Sequence, residues 1–174
     1  MKDKNTIIQS LQLERHREGG YFSETYRSTQ QVETDRPGGN RSLMTAIYYM
    51  LTDDNPILYF HVNLSDAIHF FHGGDPILYF IVHPDGTLEK KLLGADPDKG
   101  CQLQLLVKGG CWKASVLQEG AFGLIGEVLA PGFEYRDNVI ADPDGFKALF
   151  PGLWQGLSPY VLDAREYMDG TIRK

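Results

Sequence analysis

The sequence predicts an all-β fold, a sandwich or barrel of short strands, and three observations carry that reading. Eight or more stretches of strand length, alternating or continuously apolar, are separated by turn signals. The 19 Gly and 9 Pro residues punctuate them, and both types favour turns over the interiors of helices. Helical spacing is confined to the two ends of the chain.

Asn5 to Leu13 places Ile7, Ile8, Leu11 and Leu13 at near-helical spacing, a short amphipathic helix with Asn5 or Thr6 as its cap. Glu18 to Ser28 contains a Gly-Gly turn and then alternates. Tyr21, Ser23, Thr25 and Arg27 fall on one face and Phe22, Glu24 and Tyr26 on the other. Thr29 to Asn40 is polar and ends in RPGGN, so it is expected to be a loop, a mobile flap beside a pocket. Ser42 to Leu51 is a continuous apolar run, the mark of a central strand.

PILYFHV at Pro56 to Val62 recurs as PILYFIV at Pro76 to Val82, which reads as two strands of one sheet rather than a repeat array. Asp85-Gly86 centres a hairpin whose second arm is Leu88 to Leu93. Gln102 to Val107, Gly109 to Leu117 and Gly120 to Ala130 supply further strands, and PGFEY at Pro131 to Tyr135 opens a last aromatic one. GFKALF and YVLDAREYM have helical spacing, so short helices close one end.

At 174 residues the chain fits one domain spanning 1–174, with a core over about 11–140 and a C-terminal helical segment over about 142–174. The net charge is -6 and no Lys or Arg stripe is present, which argues against a nucleic-acid partner. No apolar run approaches the roughly 18 residues of a membrane span. The N-terminus MKDKNTIIQSLQLER has no apolar signal region, so no membrane is expected as a partner and a cytoplasmic location follows. Cys101 and Cys111 lack metal or redox spacing and read as free structural thiols.

Tyr59 to Gly74, YFHVNLSDAIHFFHGG, holds three of the five histidines. Alternation puts Tyr59, His61 and Asn63 on one face of the first strand and Ala67, His69 and Phe71 on one face of the second. If those faces meet, His61, Asn63 and His69 are polar groups in an apolar interior. Such groups require partners or a ligand. His72 falls one position out of phase and is expected at an interface or in solvent.

EGGYFSETYRS, SDAIHFFHGGDP, KGGCWKAS and LAPGFEYRD, in that order, resemble the DUF985 or cupin-5 family of the RmlC-like cupin superfamily. The resemblance covers about Leu11 to Asn138. It implies a double-stranded β-helix, the cupin jelly roll, commonly a homodimer. Laid on the general cupin motifs, His61 takes the place of the first metal-ligating His, with Gly74 as the last Gly. Asn63 and Ala67 stand where a His and a Glu belong, Lys108 replaces a Pro and Lys113 replaces the last His. One usual ligand in four is kept, so no metal and no cofactor are expected. The family's SDEIW is also SDAIH here, which implies an altered pocket.

Metal-free members of the superfamily include epimerases of nucleotide-linked keto-sugars, and the resemblance implies similar chemistry. A base removes a proton beside a carbonyl and an acid returns one on the other face. His61 is the expected base, Tyr135 or Tyr59 the acid, and Lys113 or Arg27 the stabiliser of the enolate. Glu24, Arg27, Tyr59, Asn63, His69 and Phe71 are expected to bind substrate, a small molecule such as a nucleotide sugar. Asp66, Glu24 and Asp137 all remain open as the carboxylate that orients His61. The alternative is a cupin that binds a small molecule without turnover, and a metal-dependent oxygenase or isomerase ranks third.

Overall fold

Short strands bounded by Gly and Pro are the units of the computed structural model, which describes residues 3–163. Helix α1 (Lys4–Ser10) leads into β1 (Glu14–Arg15), β2 (Tyr21–Arg27), and the small hairpin of β3 (Gln31–Val32) and β4 (Arg41–Ser42). Next come β5 (Thr45–Thr52), β6 (Ile57–Asn63), β7 (Asp66–Gly74), β8 (Ile77–Val82) and β9 (Leu88–Leu93). Strands β10 (Cys101–Gln102), β11 (Gln104–Val107), β12 (Trp112–Leu117), β13 (Phe122–Ala130) and β14 (Asn138–Ile140) precede α2 (Pro143–Leu149) and α3 (Trp154–Leu157).

Two six-stranded sheets result, ordered β1-β2-β5-β13-β7-β11 and β10-β9-β8-β12-β6-β14. The all-β jelly roll expected from the sequence is realised as two packed sheets with short helices at its ends. The two PILYF strands, β6 and β8, lie in the second sheet on either side of β12. Their inward residues Leu58, Ile77, Tyr79 and Ile81 meet Tyr49, Leu51 and Ile125 of the first sheet. Burying each such side chain stabilises the fold by about 1.5–3 kcal/mol before chain entropy is counted.

Two smaller clusters cover the outer faces. Ile7, Ile8 and Leu11 of the N-terminal segment pack on Leu13, Met50 and Phe122. Phe146, Phe150 and Leu157 cover Phe60, Phe80 and Val116 behind the second sheet. The Asp142 side chain caps α2 by accepting from the Gly145 N–H at 2.8 Å.

Several elements differ from expectation for local reasons. Asn5 and Thr6 are inside α1, which has Asp3 at its N-cap position and no side-chain capping bond. The Gln102 to Val107 run divides at Leu103, because β10 pairs with β9 in one sheet and β11 with β7 in the other. PGFEY is not a strand: it runs into a 3-10 turn at Tyr135–Asp137, and the last strand is β14. The Thr29 to Asn40 segment is not an open flap. Arg36 donates to Asp137 at 2.9 Å and to Ser65 at 2.8 Å, and buried Arg41 donates to Asp137 at 2.7 Å. Beyond Asp163 the expected YVLDAREYM helix lies outside the described residues.

Candidate functional site

The Gly19-Gly20 turn sets the site. Both residues have positive φ, +97° and +70°; a Cβ on Gly19 would stand 1.9 Å from the Ile57 carbonyl oxygen, and one on Gly20 2.3 Å from the Tyr49 hydroxyl. Only glycines let the backbone approach this closely. The turn therefore folds Glu18 inward against β6, where the Tyr59 N–H donates to the Glu18 carbonyl at 2.8 Å. The Glu18 side chain is left buried, 3% exposed, at the wall of a cavity.

That cavity encloses about 100 Å³ and opens to solvent at one end. Its deep end is polar, with His16, Glu18, His61 and Glu127, and its walls are apolar, with Phe22, Ile47, Leu58 and Leu129 among them. Glu24, Arg27, Phe133 and Tyr135 also line it, and Tyr135 is 55% exposed at the mouth.

Two β-bulges decide which residues face this space. Opposite the step from Lys113 to Ser115, β6 runs from His61 to Leu58 and so carries one extra residue. The alternation slips there, so Leu58, His61 and Asn63 line the cavity and Tyr59 does not. In β2, Glu24 pairs with Ile47 and Tyr26 with Ala46, which makes Thr25 the extra residue. That slip brings Arg27 onto the face of Glu24, where both line the cavity, rather than opposite faces as simple alternation has it. A third irregularity in β7 leaves His72 exposed, edge-on to Tyr48 at 5.6 Å.

His61 is 2% exposed and its Nδ1 lies 2.8 Å from the Tyr59 carbonyl. A carbonyl only accepts, so Nδ1 carries the hydrogen and Nε2 is the lone-pair nitrogen. The Glu18 carboxylate is 3.5 Å from the same Nδ1. Asp66, Glu24 and Asp137 are all engaged elsewhere. Asp66 pairs with Lys108 and accepts from the Gly109 N–H, Glu24 holds Arg27, and Asp137 holds Arg36 and Arg41. The carboxylate beside His61 is therefore Glu18, which none of the sequence candidates included.

Behind the cavity wall lies a second polar layer. Lys113 donates to Glu127 at 2.5 Å and to His69 Nε2 at 3.2 Å. Nδ1 of His69 is then the protonated nitrogen, 3.4 Å from the Tyr79 hydroxyl and 3.8 Å from Glu127. His69 and Lys113 are thus buried beneath Glu127 rather than among the cavity-lining residues, and Phe71 packs against the central core away from it. Of the expected site residues, the structure brings His61, Asn63, Glu24, Arg27 and Tyr135 together on the cavity. It leaves Tyr59, Phe71, His69 and Lys113 off its surface. Asn63 accepts from Asn138 at 2.9 Å.

Burial sets the protonation of this cluster. It pushes the Glu18 carboxyl up from the ordinary value. It lowers His61 and His69 to about 3, with the Lys113 charge adding to the effect. Burial alone would raise Glu127, but the Lys113 ammonium outweighs it and holds that carboxylate down at about 2. At neutral pH both imidazoles are uncharged and Glu127 is ionised.

Glu127 and His16 escaped the sequence reading along with Glu18. Glu127 had a signal, a lone acid inside the apolar strand FGLIGEVLA. Glu18 opens the EGGYFSETYRS motif, which marked it as part of the family pattern without giving it a role, and His16 had no signal.

The donor set does not suit the metal that cupin folds often carry. Among the described residues no three His, Cys, Asp or Glu side chains are arranged to hold an ion. The Lys113 ammonium also occupies the lone pair of His69 and one oxygen of Glu127, which a cation would need.

A sequence profile described as "Cupin superfamily (DUF985)" matches residues 5–141. An uncharacterized protein of Saccharomyces cerevisiae, YML079W, is 41% identical over 145 residues, 76% of this chain and 72% of the yeast protein. A hypothetical protein from Leishmania major superposes with a TM-score of 0.87 at 28% identity, covering 93% of this chain and 100% of its own. Protein SO0799 from Shewanella oneidensis gives 0.84 at 28% identity, covering 94% and 99%.

Proposed function

We propose that this chain, which belongs to the DUF985 family of the cupin superfamily, is a metal-independent cupin that binds a small hydroxy-carbonyl compound and moves a proton on it. The reaction is of the epimerase or isomerase type, as with a keto-sugar. One observation carries the reading: the buried Glu18 carboxyl lies 3.5 Å from His61 Nδ1, and its Oε1 has no hydrogen-bond partner among the described residues.

A carboxylate whose proton affinity is raised by burial is a stronger base than an ordinary one. In this reading Glu18 takes the proton beside the carbonyl. His61, too weakly basic to compete, accepts a ligand hydroxyl at Nε2, and Tyr135 at the mouth returns a proton from the other side. Incubation of a hydroxy-ketone with the protein in deuterium oxide tests this by mass spectrometry. Glu18→Gln is expected to cut deuterium uptake by about 10²–10⁴-fold. Uptake unchanged in that variant would sink the proton-transfer role.

Binding without turnover is the second reading, and one observation favours it. The Lys113 ammonium is held by Glu127 and His69, so it is not turned to the cavity to meet an enolate. Saturable binding with no deuterium uptake in the wild-type protein would select this reading. The homodimer expected from the family belongs here too. Leu103, 60% exposed just before the edge strand β11, and Leu106, 50% exposed within it, support it, and sedimentation at roughly twice 19.6 kDa checks it.

A further inference from the structure

The charge lining the cavity narrows the ligand further than its shape does. Arg27 is the single Lys or Arg among the described residues that line it. Most of its guanidinium donors are taken, by Glu24 at 3.0 and 2.7 Å, the Phe133 carbonyl at 3.1 Å and Glu134 at 3.4 Å. Three carboxyl side chains, Glu18, Glu24 and Glu127, line the same space. The charge of Lys113 lies behind Glu127, neutralising it. Arg17 is not a lining residue. It stacks on the Tyr135 ring at 4.3 Å and donates to Asn138 at 3.1 Å, and its Nε is buried away from the cavity lining without a hydrogen-bond partner among the described residues.

A phosphate entering this cleft would find its one lining cation already paired with Glu24 and, in Glu18, a carboxyl with no Lys or Arg partner among the described residues. In a partly desolvated site that juxtaposition is repulsive, and like charges are how sites reject wrong partners. The deep end asks for something else. Glu18 Oε1 is a buried carboxyl oxygen without a partner, and a buried group left unpaired is costly. Ionised, that oxygen accepts; protonated, it can donate. A hydroxyl is a neutral ligand group that answers either state.

We infer that the cavity takes an uncharged hydroxy-carbonyl compound of free-sugar size, with a ligand hydroxyl on Glu18 Oε1, and discriminates against phosphorylated or nucleotide-linked relatives. The carbonyl in this statement rests on the proton-transfer reading above; the absence of an anionic group on the ligand rests on charge alone. On this inference the ligand is not the nucleotide sugar that the family resemblance implied.

Two pairs of probes test it, dihydroxyacetone against dihydroxyacetone phosphate and D-fructose against fructose 6-phosphate. Each is titrated while the His61 ring proton is followed by NMR, with His61→Gln assigning the signal. Saturable shifts are expected with the uncharged members and at least about tenfold weaker ones with the phosphates. Glu24→Gln, an exposed substitution that frees part of Arg27, is expected to improve binding of the phosphates by about tenfold. The inference is overturned if the phosphates bind as tightly as their uncharged partners, or if neither uncharged probe gives a saturable shift. Deuterium uptake separates the two readings. Uncharged probes that bind without exchange sink proton transfer and leave the ligand class standing, whereas exchange confined to the phosphates does the reverse.

Discussion

Lys113 and Glu127 face each other at 2.5 Å, both nearly inaccessible to solvent, and the protonation of their neighbours follows from that pair. Lys113→Met would strand the Glu127 carboxylate and is expected to cost about 3–5 kcal/mol in urea unfolding, while adding Glu127→Leu should recover most of the loss. The pH dependence has two opposing parts. His61 and His69 fall from an ordinary 6.5 to about 3 on folding, so the unfolded chain binds protons first. Their stabilisation is complete above about 6.5 and is lost as the pH falls toward 3. Glu127, lowered from 4.5 to about 2, adds a loss between those values. Glu18 is raised, so its stabilisation exists below its ordinary value of 4.5 and is lost as the pH rises through the folded value. Thermal unfolding is therefore expected to fall steadily from pH 7 to pH 4. Glu18→Gln should be more stable than wild type at pH 8, with the gap closing toward pH 4. A flat profile in Glu18→Gln, which removes the opposing part, would show that the imidazoles keep ordinary affinities for protons.

At the scale of elements, the strands were legible and their phase was not. Apolar runs and Gly or Pro boundaries placed β5, β6, β8 and β9 within a few residues, and the paired PILYF segments fell in one sheet. One inserted residue, however, reverses inside and outside for all that follows. The bulges in β2 and β6 carry no local mark in the sequence, which is why Tyr59 left the cavity and why Glu24 and Arg27, on opposite faces by simple alternation, share it. Glu18 was hidden for a different reason. Its burial depends on the approach of the Gly19-Gly20 turn to Ile57 and Tyr49, residues some 30 to 40 positions away in the chain. Gly19→Ala tests that dependence. The added Cβ meets backbone at 1.9 Å with φ at +97°, so a loss of at least about 1–3 kcal/mol is expected. The His61 ring signal should shift as Glu18 is displaced. Gly152→Ala, where a Cβ meets nothing within 4 Å, should change stability by no more than about 0.5 kcal/mol.

For the molecule as a whole, the sheets divide the labour between the cavity in the gap and an aromatic layer behind. Phe146 is 1% exposed and stands 4.7 Å from Phe60 and 5.2 Å from Phe150, ring centre to ring centre, with Trp112 edge-on at 6.0 Å. These residues hold the C-terminal segment on the outer face of the second sheet, and none of them lines the cavity. Phe60 is nonetheless the residue before His61, in the bulge that sets the phase of β6. Phe146→Ala is expected to cost about 3–5 kcal/mol, read from the urea midpoint. If the layer is a brace rather than part of the site, binding of dihydroxyacetone to the folded variant stays within about twofold of wild type. A larger change, with His61 shifted in the unliganded variant, would mean that the bulge takes its shape from the aromatic layer. Specificity in the gap would then be set in part from the far side of the sheet.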